Sequence, residues 1–235
     1  MSTRNRAYRL VVEDQIARKD TKLCLGIDPN FRQGMLPFMQ QQREQDPAQF
    51  LDDLCGCWLD AAKDHVVAVK FQSSFFEALG VPGWEALRRA IQKAQGLGLP
   101  VIWDAKRGDI SSTMEAYGQV CFDQLHADSM TITPYMGSDV ITALGSWLEQ
   151  GRLVYVVFVP SNPSGKYLWE AQGSQPVIAQ QVWQMLLDCR QNFPQGLGFV
   201  VGATILESLP EELWQEVVQF PLLVPGLGFQ GAPLG

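Results

Sequence analysis

Five ionisable side chains stand where strongly apolar runs come to an end. Asp28 follows LCLGI, Lys70 follows VVAV, and Asp104 and Lys106 follow PVIW; Asp109 lies just beyond, on the glycine-containing turn of DAKRGDI (104–110). Residues two apart on a strand point the same way, so Asp104 and Lys106 are expected on one face, with Lys70 meeting them from the neighbouring strand. The bland reading is a set of salt bridges. Buried ion pairs, however, often add nothing to stability, so a Lys-Asp-Lys-Asp array at strand ends is better explained as a site. A fixed ammonium can stabilise a developing carbanion and then protonate it. A carboxylate beside it can hold the ammonium in place and crowd a departing substrate carboxylate. Two like charges at about 4 Å repel by roughly 4 kcal/mol at an effective dielectric near 20. Enzymes commonly supply ~8–23 kcal/mol, so stabilising the carbanion must do most of the work.

The elements that must position these groups alternate regularly. Strands are expected at 22–28, 66–71, 100–106, 129–134, 152–160, 196–204 and 221–226. Helices are expected between them at 46–64, 84–98, 111–126, 138–151, 176–191 and 210–219. Asp46 before Pro47 is a candidate N-cap, and Ser112 with Glu115 a candidate capping box. Near-continuous apolar strands separated by helices mean a parallel sheet covered on both faces. A (β/α)8 TIM-type barrel is the expected architecture, one domain over residues 1–235, with an open doubly wound sheet as its rival. An extra N-terminal helix is expected at 3–20, and a long Gln-rich loop at 31–45. The count stops at strand seven, so a truncated chain lacking the last βα unit is expected. Trp103 is expected to face the helix layer, opposite Asp104.

Composition narrows the possibilities. The net charge is −7 with pI about 4.8, which argues against a nucleic-acid groove. No apolar run is long enough for a transmembrane helix, and the charged N-terminus has no signal-peptide core. The five cysteines are scattered and odd in number, which suggests reduced core cysteines in a cytoplasmic protein. Cys55-Gly-Cys57 lacks a second ligand pair at zinc spacing, and the two histidines, His65 and His126, lie near helix ends. A His-based triad or a His-ligated metal is not expected. GLGFQG (226–231) formally fits a dinucleotide fingerprint, but Ala-Pro follows where a helix should open. Its glycines better suit a backbone approach to phosphate.

With these residues in view, the chain resembles the orotidine 5′-phosphate decarboxylase family. DAKRGDI resembles that family's Asp-x-Lys-x-x-Asp-Ile signature, and LCLGIDP its first strand. VKFQ resembles its second-strand lysine, SNPSG its fifth-strand loop and VPGLGFQG its phosphate loop. The wording of DAKRGDI and the loop after strand one are similar to the longer-chain subgroup. The resemblance implies a cofactor-independent homodimer converting orotidine 5′-phosphate to UMP and CO2. It implies that Lys106 protonates C6, that Asp104 lies near the substrate carboxylate, and that Lys70 orders the array and binds ribose. Asp109 would cross the dimer interface, with Ile110 and Thr113 travelling with it, and Asp28 would bind a ribose hydroxyl. Ser161, with Asn162 beside it, would contact the pyrimidine amide. Gln230 would bridge loop, base and phosphate between Gly228 and Gly231. The family's phosphate-binding arginine belongs to an eighth strand not seen here.

Two other readings remain open. Related barrel enzymes, Mg2+-dependent sugar-phosphate lyases or decarboxylases, share Asp-x-Lys-x-x-Asp but add an acidic metal ligand. A truncated, non-catalytic remnant would bind nucleotide weakly, without turnover, or be inert. Lys70 favours the nucleotide enzyme, and turnover undiminished after dialysis against EDTA is the expected result; loss restored by Mg2+ would favour the lyase.

Overall fold

The strands are short apolar runs, several of them buried from end to end. In a computed structural model, which describes residues 6–30, 41, 44, 46–159, 178–203 and 211–226, LVYVVFV is buried along its whole length, as is LGFVV. Burial on both faces is what a parallel sheet sandwiched by helices requires. Among the described residues, seven strands form one sheet in the order β1 (Cys24–Ile27), β2 (Ala68–Gln72), β3 (Val101–Arg107), β4 (Ser129–Ile132), β5 (Leu153–Val159), β6 (Leu197–Val201) and β7 (Leu222–Leu223). The pairings β1·β2, β2·β3, β5·β6 and β6·β7 are parallel. Each described connection between strands contains helix, so the chain is an α/β protein of the TIM type.

Two compact units are distinguishable, Met1–Ala105 with Val120–Met130, and Lys106–Gln119 with Thr131–Gly235. In the first, α1 (Tyr8–Lys19) is tied to the N-terminal side of the strands. Lys19 Nζ donates to the carbonyls of Lys63 (2.6 Å) and Val66 (2.8 Å), and Gln15 Nε2 to that of Gly98 (3.1 Å). The next helix, α2 (Pro47–Ala62), begins as its sequence dictates: Asp46 Oδ1 accepts from the Gln49 N–H at 3.0 Å, with Pro47 at the first turn. Its Leu51–Cys55–Leu59 stripe is buried, as is the Ala86/Leu87–Ala90/Ile91–Ala94 stripe of α4 (Gly80–Gly96). Between β2 and α4 lies α3 (Ser73–Glu77), a short helix not among those expected from the sequence.

In the second unit, the expected helix 111–126 is α-helical only over α5 (Ser111–Gly118) and continues as a π-helical turn, Gln119–Gln124, into the first. The Ser112–Glu115 capping box does not form. Ile110 occupies the N-cap position without a side-chain cap, and Ser111 enters the helix at φ 49°, which displaces the cap geometry by one residue. The expected helix 138–151 is split into α6 (Asp139–Thr142) and α7 (Gly145–Glu149). The break precedes Gly145, the weakest helix former of the segment, and follows the β-branched run Val140–Thr142. Within 31–45, Gln41 and Glu44 are helical rather than loop, and the other positions lie outside the described residues.

Two further described helices are α8 (Ile178–Asn192) and α9 (Glu211–Val217). Phe199 anchors an aromatic cluster here, with ring centroids 4.7 Å from Phe220, 5.1 Å from Trp183 and 5.9 Å from Phe158. Phe199→Ala is expected to cost about 3–5 kcal/mol, read as a lower urea midpoint.

Candidate active site

Strand ends of β1, β2 and β3 bring three charges together in the first unit. The register pairs Gly26 with Lys70 and Gln72 with Asp104, so Lys70 stands between β1 and β3. Its ammonium lies 3.0 Å from Asp28 Oδ1 and 3.2 Å from Asp104 Oδ2. The side chains of Lys70 and Asp104 are only 13% and 7% exposed, whereas Asp28 is 48% exposed. Asp104 therefore depends on its protein partner, while Asp28 keeps an open side for a ligand.

Burial is the largest single influence on Lys70 and favours the neutral amine. Asp104 and then Asp28 act against it through charge and hydrogen bonding, and together they hold the pKa above the ordinary lysine value of 10.5. Lys70 is thus a fixed cation throughout the physiological range. One strand-residue pair below Gly26, the Cys24 thiol is pushed up to about 12, chiefly by burial, and stays protonated. It forms an uncharged floor beneath the charges.

Gln72 also belongs to this neighbourhood and was missed in the sequence. It lies two residues beyond Lys70, level with Asp104, half-buried, and leaves the N-cap of α3 without a side-chain hydrogen bond. Its signal was the same alternation that singled out Lys70. Trp103 takes the expected opposite side, buried against Trp84 of α4 at 6.2 Å between ring centroids.

Lys106 and Asp109 fall in the second unit. Lys106 is exposed and adopts φ 47°, with its N–H donating to Thr131 Oγ1 at 2.9 Å. Alternation presumes extended backbone, so the rule that placed Lys106 on Asp104's face stops applying at this residue. A left-handed lysine costs about 1–3 kcal/mol, and such strain gathers at functional sites. Ser111, at φ 49°, closes the same turn. Inside it, Gly108 is obligatory: a Cβ there would lie 2.1 Å from Thr133 Oγ1. The Asp109 carboxylate accepts the Ile110 N–H at 2.8 Å, Ile110 is 48% exposed, and Thr113 is exposed on α5. Arg107 stacks over Tyr117 at 5.1 Å. Ser161, Asn162, Gly228, Gln230 and Gly231 lie outside the described residues.

Among the described residues, no helix is long and apolar enough to cross a membrane, and no group of three or more His, Cys, Asp or Glu is placed to hold a metal. A TIM-type α/β protein with lysine and aspartate gathered at the C-terminal strand ends is, as a class, an enzyme with its site at the sheet's C-terminal edge. A family model described as "Orotidine 5'-phosphate decarboxylase / HUMPS family" matches residues 21–235, and the chain belongs to that family. It is 36% identical to the orotidine 5′-phosphate decarboxylase of Roseiflexus sp. over 97% of this chain and 79% of that protein. A Toxoplasma gondii structure assigned as an orotidine-monophosphate decarboxylase superposes with TM-score 0.84 at 26% identity, over 98% of this chain and 82% of that one. The Leishmania donovani OMP decarboxylase structure gives TM-score 0.73 at 27% identity, over 94% and 80%. The activity is that of a carboxy-lyase acting on orotidine 5′-phosphate in UMP biosynthesis.

The sign of the Lys70 shift sets a pH dependence. Its folded pKa is raised, so the stability contributed by the Asp28–Lys70–Asp104 contact is fully present below about 10.5 and is lost as pH climbs through the higher folded value. Urea titrations from pH 7 to 11.5 are expected to show the wild type losing its advantage over Lys70→Met only at the alkaline end.

Proposed function

We propose that Lys70, Asp104, Lys106 and Asp109 carry the decarboxylation. The observation that supports this best is the buried Lys70 ammonium held between two carboxylates, with the strained Lys106 two residues further along β3. Two residues of extended chain span at most ~7 Å, so the Lys106 Cα stays near that of Asp104 by covalent connection alone. In this reading the C6–carboxylate bond breaks, CO2 leaves, and the electron pair remains on C6 of the pyrimidine. Lys106 stabilises that pair as an ammonium, delivers a proton to C6, and recovers one from water. Asp104 crowds the substrate carboxylate and, with Lys70, keeps the charges preset. Lys70 and the open side of Asp28 bind ribose hydroxyls.

The same reading gives Ser161 and Asn162 to the pyrimidine amide, and Gly228, Gln230 and Gly231 to the phosphate and its link with the base. Remote phosphate binding of this kind is converted into rate at the reacting carbon. Asp109, Ile110 and Thr113 complete the site of a second copy in a cytoplasmic homodimer. Ile110, Tyr135 and Met136, 48%, 51% and 55% exposed, support such an interface. They belong to adjacent turns, joined by the Thr133 N–H donating to the Arg107 carbonyl at 2.8 Å, and would be covered on association.

Lys106→Ala is expected to abolish turnover while the circular dichroism spectrum and melting temperature stay near wild type; near-normal turnover would reject Lys106 as proton donor. Mixing Lys106→Ala with Asp109→Ala chains is expected to restore up to about a quarter of wild-type activity through hybrid dimers, each with one intact site. No recovery after verified subunit exchange would count against a shared site.

A further inference from the structure

The two strands that carry Lys70 and Asp104 on one face are also joined on the other. Phe71 pairs with Trp103 in the β2·β3 register, between the Lys70 and Asp104 levels. The Trp103 indole N–H donates to Ser73 Oγ at 2.9 Å, and the Ser73 hydroxyl donates to Glu77 Oε1 at 2.7 Å, one helical turn on. Trp103 and Ser73 are buried at 0% and 1% exposure, so each polar group depends on this chain of donors. Ser73 is the first residue of α3 and follows Gln72, the residue level with Asp104. The link therefore clamps the end of β2 to β3 directly behind the ion pair. Loosening it would let the two strand ends slide or twist while the apolar layer around Trp84 and Phe76 stayed in place.

We propose that the Trp103–Ser73–Glu77 hydrogen-bond chain is a positioning device that holds the Lys70 ammonium and the Asp104 carboxylate in their productive separation. Trp103 and Ser73 are positioning residues: neither lies on the face that carries the charges, and both act through the strands they join. Catalysis by preset charge tolerates little displacement, which gives such a clamp leverage on rate. The proposal rests on the reading of Lys70 and Asp104 as catalytic groups.

The test compares Trp103→Phe, Ser73→Ala and their double variant with Trp84→Phe and Asp104→Asn, in steady-state kinetics with orotidine 5′-phosphate well below each melting temperature. Trp103→Phe removes the N–H but keeps a ring; Trp84→Phe perturbs the same ring packing and leaves the link intact. Trp103→Phe and Ser73→Ala are each expected to lower kcat by about ten- to a hundredfold. KM is expected to stay within about twofold, and the double variant to be no worse than the poorer single. Trp84→Phe is expected to lower the melting temperature and leave kcat unchanged. Wild-type kcat in Trp103→Phe or Ser73→Ala, with turnover lost in Asp104→Asn, would overturn the clamp alone. A kcat loss in Trp84→Phe matching that in Trp103→Phe would do the same, since packing would then suffice. Turnover surviving in Asp104→Asn would remove the underlying reading and the proposal with it. Should Trp103→Phe fail to fold, Ser73→Ala carries the same comparison.

Discussion

A buried ammonium between two carboxylates is the interaction on which the rest of this structure turns. Taken alone, Lys70 would shed its proton or draw in water, because burial penalises its charge. Asp104 and Asp28 reverse that outcome, and to do so they must arrive from the strands on either side of β2. That requirement fixes the adjacency of β1, β2 and β3 and their register, since a slip of one residue would turn Lys70 away from both partners. It also fixes an asymmetry of exposure. Asp104 is enclosed and committed to Lys70, while Asp28 remains half in solvent.

Preset charge suits the decarboxylation proposed here, in which an electron pair is left on carbon. A cation already oriented by its neighbours costs little reorganisation when charge develops, which is where electrostatic catalysis has most to gain. The surroundings sharpen this. Cys24 beside the trio stays neutral, and the hydrogen-bond chain through Trp103, Ser73 and Glu77 joins the ends of β2 and β3 on the other side. In the second unit the turn from Lys106 to Ser111 is held by different means. Lys106 and Ser111 bear left-handed backbone, and Gly108 lets the turn close onto Thr133. The two units thus supply contrasting supports, ion pairing for Lys70 and backbone constraint for Lys106.

How much of this could be read from the residues differs by feature. Every described strand was legible within a few positions, because these strands are apolar runs whose ends are marked by polar residues. Asp28, Lys70 and Asp104 were legible for the same reason: charge is costly at the end of such a run unless it meets a partner. The Asp46–Pro47 helix start was legible because capping is local. Features set by competition between local signals were not. Ser112 and Glu115 spell a capping box, yet the turn before them imposes another geometry. Segment 138–151 has helical periodicity, yet breaks before Gly145.

The sequence by itself determined the α/β alternation, the strands and the three residues that converge at their ends, because burial and period-two alternation act along the chain. Tertiary structure decided what depends on contact across it. The partners of Lys70, the link from Trp103 to Ser73 and the neutrality of Cys24 all follow from which strand lies beside which, at what register. It also decided the conformation of Lys106, where the backbone leaves the extended form on which alternation relies. Hydrogen bonds and ion pairs between strands act over a few ångströms of space but tens of residues of sequence, and a linear pattern does not carry that distance.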